Sequence, residues 1–187
     1  MSATTITGAA LIAQFLICAI IAVGMVIIQI TEGDVYWRQA LNYSHMFLSI
    51  IFFSFLTLGL LLFSDAFATL WKPLIGNGNL YFLSWSIALF FVFIIDILWV
   101  CIMVSQTGGG KDSAFNPIFF LLPVLAIFLR QPIGRIFFYL FLIVVTFSFV
   151  VFKKFYFKEQ KSNLSYRFVS LACFAVAAYI GIITRPN

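Results

Sequence analysis

Apolar residues fall into six long stretches along this chain, separated by short polar segments. The stretches cover residues 8–30, 43–63, 80–105, 117–129, 136–152 and 168–184. About 20 mostly apolar residues in a helix cross the hydrocarbon core of a bilayer. The pattern therefore predicts an all-α fold: a polytopic transmembrane helical bundle of six spans, forming a single integral membrane domain over residues 1–187. The fourth stretch is short. Its 13 residues rise only ~20 Å as a helix against a core of ~30 Å. Five spans plus a re-entrant segment is the alternative.

The polar segments carry their own signals. In "TEGDVYWRQALN" (31–42), Thr31 with an acidic residue three places later forms a capping-box pattern, and Tyr36 and Trp37 are aromatic anchors, so a short interfacial helix is predicted. "SDAFATLWKPLIGNGN" (64–79) reads the same way, with Ser64 or Asp65 as a cap and Pro73 as a stop. "RQPIGR" (130–135) predicts a tight turn made by Pro132 and Gly134. "QTGGGKDSAFNP" (106–117) has two readings. In one, the glycines make a turn and the fourth helix starts with Asn116 as N-cap and Pro117 in its first position. In the other, bare glycine amides and a helix N-terminus present donors to a carbonyl or anion at the membrane surface. It is not a P-loop, because no G-K-[ST] follows at the needed spacing.

Composition supports the bilayer as solvent. Hydrophobic residues make up 64% of the chain and charged residues 9%, against roughly half and a quarter in soluble domains. Most of the 25 phenylalanines are read as lipid-facing bulk. Cys18, Cys101 and Cys173 lie inside apolar runs, lack metal-site spacing and are odd in number, so they read as small buried hydrophobes. The single histidine, His45, excludes a bis-histidine haem within one chain, and neither haem nor metal is expected. No basic segment precedes the first stretch, which is read as a retained span. No serine–histidine–acid set or acidic pair is visible, which leaves an enzyme the least supported class. Nothing points to nucleic acid as a partner.

With six spans, the first, third and fifth connections share one side and carry Arg38, Lys111, Lys153, Lys154, Lys158, Lys161 and Arg167. The other side carries Lys72, Arg130, Arg135 and Arg185. The positive-inside rule then places the termini outside and the glycine loop in the cytoplasm, and a re-entrant fourth segment reverses this. Lys153, Lys154, Lys158, Lys161 and Arg167 form a surface for a protein partner or anionic lipid, at about 1 kcal/mol per basic residue.

Asp96, in "FIIDILWV", lies near mid-bilayer in the third stretch. An ionised aspartate there costs on the order of 3 kcal/mol or more. No lysine or arginine lies at comparable depth. The expectation is an inward-facing side chain, either a neutral acid or one bonded to a Ser, Thr, Asn, Tyr or Trp. Its functional reading is proton acceptance or ligand anchoring, and its structural reading is an interhelical hydrogen bond that orders the bundle. His45 lies near the membrane edge, and its estimated depth differs from that of Asp96 by roughly 10 Å.

The stretch "GGKDSAFNPIFFLLPVLAIFLRQPIGRIFFYLFLIVVTF" resembles the third-to-fifth span region of six-helix sensory domains in quinone-responsive redox sensor histidine kinases of bacteria. That family carries a Gly-Gly-x-x-Asn-Pro-Phe loop before a short helix rich in Leu-Pro-Val. The resemblance implies a quinone-binding role for Gly109, Gly110, Asn116 and Pro117, and a bacterial inner membrane. Five residues, not two, separate Gly110 from Asn116, and Ile118 stands where the family has phenylalanine. The family's loop faces outside, opposite to the charge count. No kinase domain follows, so a separate protein would read the signal. The leading expectation is a sensory or ligand-binding module for a quinone-like lipid, using Asp96 and His45 with the glycine loop. An oligomeric channel or membrane-disrupting effector, or an accessory subunit of a larger membrane complex, are the other readings.

Overall fold

In hydrocarbon the backbone must satisfy its own amides, and a helix does so within one segment. The computed structural model describes residues 3–31, 40–75, 78–107, 113–152 and 163–185. They form α1 (Ala3–Thr31), α2 (Ala40–Ile75), α3 (Gly78–Gln106), α4 (Asn116–Phe128), α5 (Ile133–Phe152) and α6 (Asn163–Ile183). There is no strand among the described residues. Five helices are long and apolar enough to cross a membrane, and α4 is the shorter sixth. The protein is an all-α, multi-pass integral membrane bundle.

α1 packs against α2, α3 and α6; α3 packs against α1, α2, α4 and α5; α4 packs against α3, α5 and α6. Burial divides the helices into an inner and an outer set. In the apolar windows of α1 and α3, 50% and 56% of residues are buried, against 22%, 17% and 22% in α2, α5 and α6. α4 belongs to the inner set, burying Ile118, Phe119, Leu122 and Leu125 among others. The outer helices expose Phe52, Phe55 and Phe63 on α2, Phe137 and Phe141 on α5, and Phe174 on α6. Lipid tails are as apolar as these side chains, so packing and hydrogen bonding, not burial from water, hold the helices together. Arg135 shows how one helix is fixed to the next. From the first turn of α5 it donates to Ser86 Oγ at 2.7 Å and to the Ser86 carbonyl, and its guanidinium sits 5.3 Å over the Phe90 ring.

Thr31 is the last residue of α1, and residues 32–39, where the interfacial helix was predicted, lie outside the described residues. Two connections differ from expectation. No new helix starts at Ser64 or Asp65. α2 runs unbroken for 36 residues to Ile75, because residues 64–72 hold neither glycine nor proline and Thr69 Oγ1 bonds the Asp65 carbonyl at 2.7 Å within the helix. Pro73 falls in its last turn, where the helix is ending.

The second difference is the 130–135 turn, which is made by Arg130. Arg130 has φ 54°. Its N–H donates to the Ile127 carbonyl at 3.0 Å, and that of Gln131 donates to Ala126 at 3.0 Å. This is a Schellman ending with arginine in the left-handed position that glycine usually takes. Gly134 instead lies within α5. Arg130→Gly is therefore expected to raise stability by about 1 kcal/mol, read as a higher unfolding midpoint in detergent. No gain would mean that the Arg130 side chain supplies a compensating contact.

Candidate functional site

Asp96 sits on a stripe of α3 formed by Trp85, Leu89, Val92, Asp96, Trp99 and Met103, all buried. Spacings of three and four residues place them on one helix face. That face meets α1 and α2. Trp99 stacks on Phe53 at 5.7 Å, and Ser49 Oγ lies 3.8 Å from Met103 Sδ. About one turn beyond the Trp99–Phe53 contact, Gln14 Nε2 of α1 donates to Asp96 Oδ1 at 2.9 Å and to Thr57 Oγ1 of α2 at 2.9 Å. Thr57 in turn donates its hydroxyl hydrogen to the Phe53 carbonyl at 2.8 Å.

This set of bonds fixes the direction of each hydrogen. The Thr57 hydrogen is committed to Phe53, so Thr57 Oγ1 faces Gln14 as an acceptor. Gln14 must then present its NH₂ end, and Asp96 Oδ1 accepts the second amide hydrogen. Cys18, one turn along α1, and Ser54 lie beside the same cluster. Asp96 is 1% exposed, Gln14 3% and Thr57 0%. The sequence expectation did not include glutamine among the partners of Asp96, yet Gln14 is the direct donor. Its signal was available: Gln14 is the one amide side chain in the window Gly8–Ile28.

A second feature lies between α4 and α6. Phe115, just ahead of α4, is fully buried against Gly24 and Val169, and at the other end Phe128 packs on Gly181. Phe115 is thus level with Val169 and Phe128 with Gly181, so α4 and α6 run parallel and in step. Between the two ends is a groove of about 320 Å³. Asn116, Pro117, Tyr166 and Ser170 line it at the end where both helices begin. Phe120, Val124, Phe174 and Ala177 continue it toward the other end. Phe120 is 73% exposed and Phe174 76%, so the groove opens sideways onto the outer surface of the bundle. It is polar at one end and apolar along its length.

The approach to α4 is also ordered. Thr107 Oγ1 and Ser113 Oγ lie 2.6 Å apart. Ser113 Oγ accepts the Phe115 N–H at 3.2 Å, and the Ser113 carbonyl accepts that of Asn116 at 3.4 Å. Phe115 occupies the N-cap position, with no side-chain cap bond from it, and Asn116 is already the first helical residue. The expected roles shift by one residue because Ser113, three residues earlier than Asn116, satisfies the orphan amides.

The structure gathers some of the expected residues and separates others. Asn116 and Pro117 share the groove. Asp96 lines no part of it and belongs to the α1–α2–α3 contact. His45 lies on α2, twelve residues before Thr57, about 18 Å along the helix axis; its side chain is outside the described residues, as are Gly109, Gly110, Lys153, Lys154, Lys158 and Lys161. Arg167 is exposed on α6 next to Tyr166. Tyr166 and Ser170 were not foreseen as ligand-facing. Their only sequence signal is polarity at a spacing of four near the start of a helix that is apolar over residues 171–178. No protein-family model, curated protein or solved structure matches this chain.

Proposed function

We propose that the protein is a membrane sensory or ligand-binding module whose ligand is a lipophilic molecule with a compact polar head, quinone-like in character, lodged in the α4–α6 groove. The single observation carrying this reading is the groove's polarity: Asn116, Tyr166 and Ser170 at one end, and an open phenylalanine-lined channel beyond. Hydroxyl and amide donors at that end suit a carbonyl head group. A volume of about 320 Å³ is at the small end of ligand pockets. It holds a ring and the start of a tail, and the rest of the tail lies among the lipid chains. The side opening lets such a molecule enter from the bilayer without crossing water. The resemblance around Asn116 and Pro117 adds quinone chemistry and a bacterial plasma membrane to the reading. A separate partner reads the occupied state through the basic connection that ends at Arg167, beside the groove's polar end.

The test is photolabelling of the full chain in nanodiscs with a photoreactive benzoquinone carrying a short isoprenoid tail. Adducts are expected on the 116–124 and 166–177 segments. Excess unlabelled quinone should compete them away, and Ser170→Trp, which fills the polar end, should reduce them at least about tenfold, the equivalent of one lost hydrogen bond. Labelling spread evenly over the exposed helices, without competition, would overturn the reading.

A further inference from the structure

We infer that Asp96 is a proton-binding site inside the bilayer, separate from the α4–α6 groove, with Gln14 and Thr57 as its positioning residues. The inference rests on the bonds of the three-helix contact and stands whether or not the groove binds a quinone.

The argument starts from what faces Asp96. α1 brings Gln14 and Cys18, and Cys18 is the one titratable side chain among them. α2 brings Phe53, Ser54 and Thr57, none titratable. On α3 itself, Val92 and Trp99 flank Asp96 on the same face and carry no charge. α4 carries no titratable side chain, and α5 meets other residues of α3: Tyr139 stacks on Phe93 and Cys101 faces the Thr146 carbonyl. Among the described residues, then, no cation neutralises this carboxyl group, although it is 1% exposed.

Two effects oppose each other at this position. Burial away from water disfavours the ionised form, and a hydrogen bond donated to the carboxyl oxygen favours it. The donor is a neutral amide, so it supports the charge without cancelling it. The carboxyl group thus has one neutral donor and no cation beside it among the described residues.

The contact also has a way to accommodate each state. In the ionised form both Gln14 amide hydrogens are used as found, on Asp96 Oδ1 and Thr57 Oγ1. When a proton from the aqueous phase binds Oδ1, the oxygen that faces Gln14, that oxygen changes from acceptor to donor. Gln14 is the side chain here that changes from donor to acceptor by turning over its amide end. Turning it removes the donor from Thr57 Oγ1, so one proton rearranges contacts on all three helices. A metal cation fits less well. Among the described residues, no group of three His, Cys, Asp or Glu side chains comes together to hold one.

The experiment is infrared difference spectroscopy of the full chain in nanodiscs between mildly alkaline and mildly acidic pH. A D34N/D65N/D112N background leaves Asp96 as the one aspartate without touching the three-helix contact. Aspartate-specific isotope labelling then reports this group alone. The expected result is a protonated-carboxyl band that appears on acidification, shifts with the label, and is joined by a primary-amide change that Gln14→Leu removes. Thr57→Val should move the midpoint while keeping the band. A label-sensitive band that stays constant across the range would show a permanently neutral, structural acid, and would overturn the inference. So would its absence at every pH, or a titration that depends on sodium concentration.

Discussion

Gln14→Leu lowers the stability of the bundle by about 2 kcal/mol, whereas the triple variant Gln14→Leu/Thr57→Val/Asp96→Leu recovers most of that loss. The reason is the asymmetry of buried hydrogen bonds. A bond kept in place contributes only about 1 kcal/mol net, but a buried group stripped of its partner loses the full cost of its desolvation, about 1–3 kcal/mol. Gln14 serves two acceptors at once, each at 2.9 Å. Leucine is one atom shorter and donates nothing, so Asp96 Oδ1 loses its donor while Thr57 keeps its bond to the Phe53 carbonyl. Interhelical bonds in membranes run from about 0.6 to 2 kcal/mol, because the separated helices find other partners, and that limits the loss. Replacing all three groups leaves nothing to orphan, and the packing of α1, α2 and α3 supplies the rest. Reversible unfolding in mixed micelles, or steric trapping in bicelles, gives the comparison. A triple variant less stable than Gln14→Leu would show that the polar cluster specifies the packing and does not merely tolerate it.

The same cluster shows how far the sequence was legible. The six helices follow from runs of apolar residues long enough to cross hydrocarbon, and each described helix overlaps its predicted stretch. That Asp96 needed a polar partner also follows from solvation cost alone. The partner itself did not, since Gln14 and Asp96 are 82 residues apart in the chain and nothing local encodes their common depth. Helix ends were harder for a different reason. α2 continues past Ser64 because continuing costs less than stopping where no glycine or proline intervenes, and a cap signal does not outweigh an intact helical ladder. Arg130 takes a conformation for which its sequence offers no cue. The groove is least legible of all. It depends on which side chains of α4 and α6 fail to meet, and the chain distance between Asn116 and Ser170 hides their shared end.

Gly24→Val is expected to destabilise the bundle by about 2 kcal/mol and to loosen the start of α4. A Cβ placed on Gly24 would lie 2.9 Å from Phe115 Cε1 and 3.1 Å from Val169 Cγ2. The Phe115 ring is 0% exposed, so it has no free space to turn into. Overpacking of this kind costs about 1–3 kcal/mol, and valine adds two further methyl groups to the clash. The relief is to push Phe115 out of its seat, which drags Asn116 and Pro117 with it. Gly24→Val should therefore weaken quinone photolabelling of the groove as well as stability. A smaller ring position makes room again, so Phe115→Ala added to Gly24→Val should be less destabilised than the sum of the two single changes, a coupling that neighbours in contact show and distant sites do not. The corresponding notch, Gly181 against Phe128 with its nearest approach at 3.1 Å, provides the comparison at the far end of α4. Gly181→Ala closes a looser contact away from the polar end, so it should cost less and leave the labelled segments unchanged. Equal effects at both glycines would mean that α4 moves as a rigid unit, and that the seat of Phe115 has no special hold on the groove.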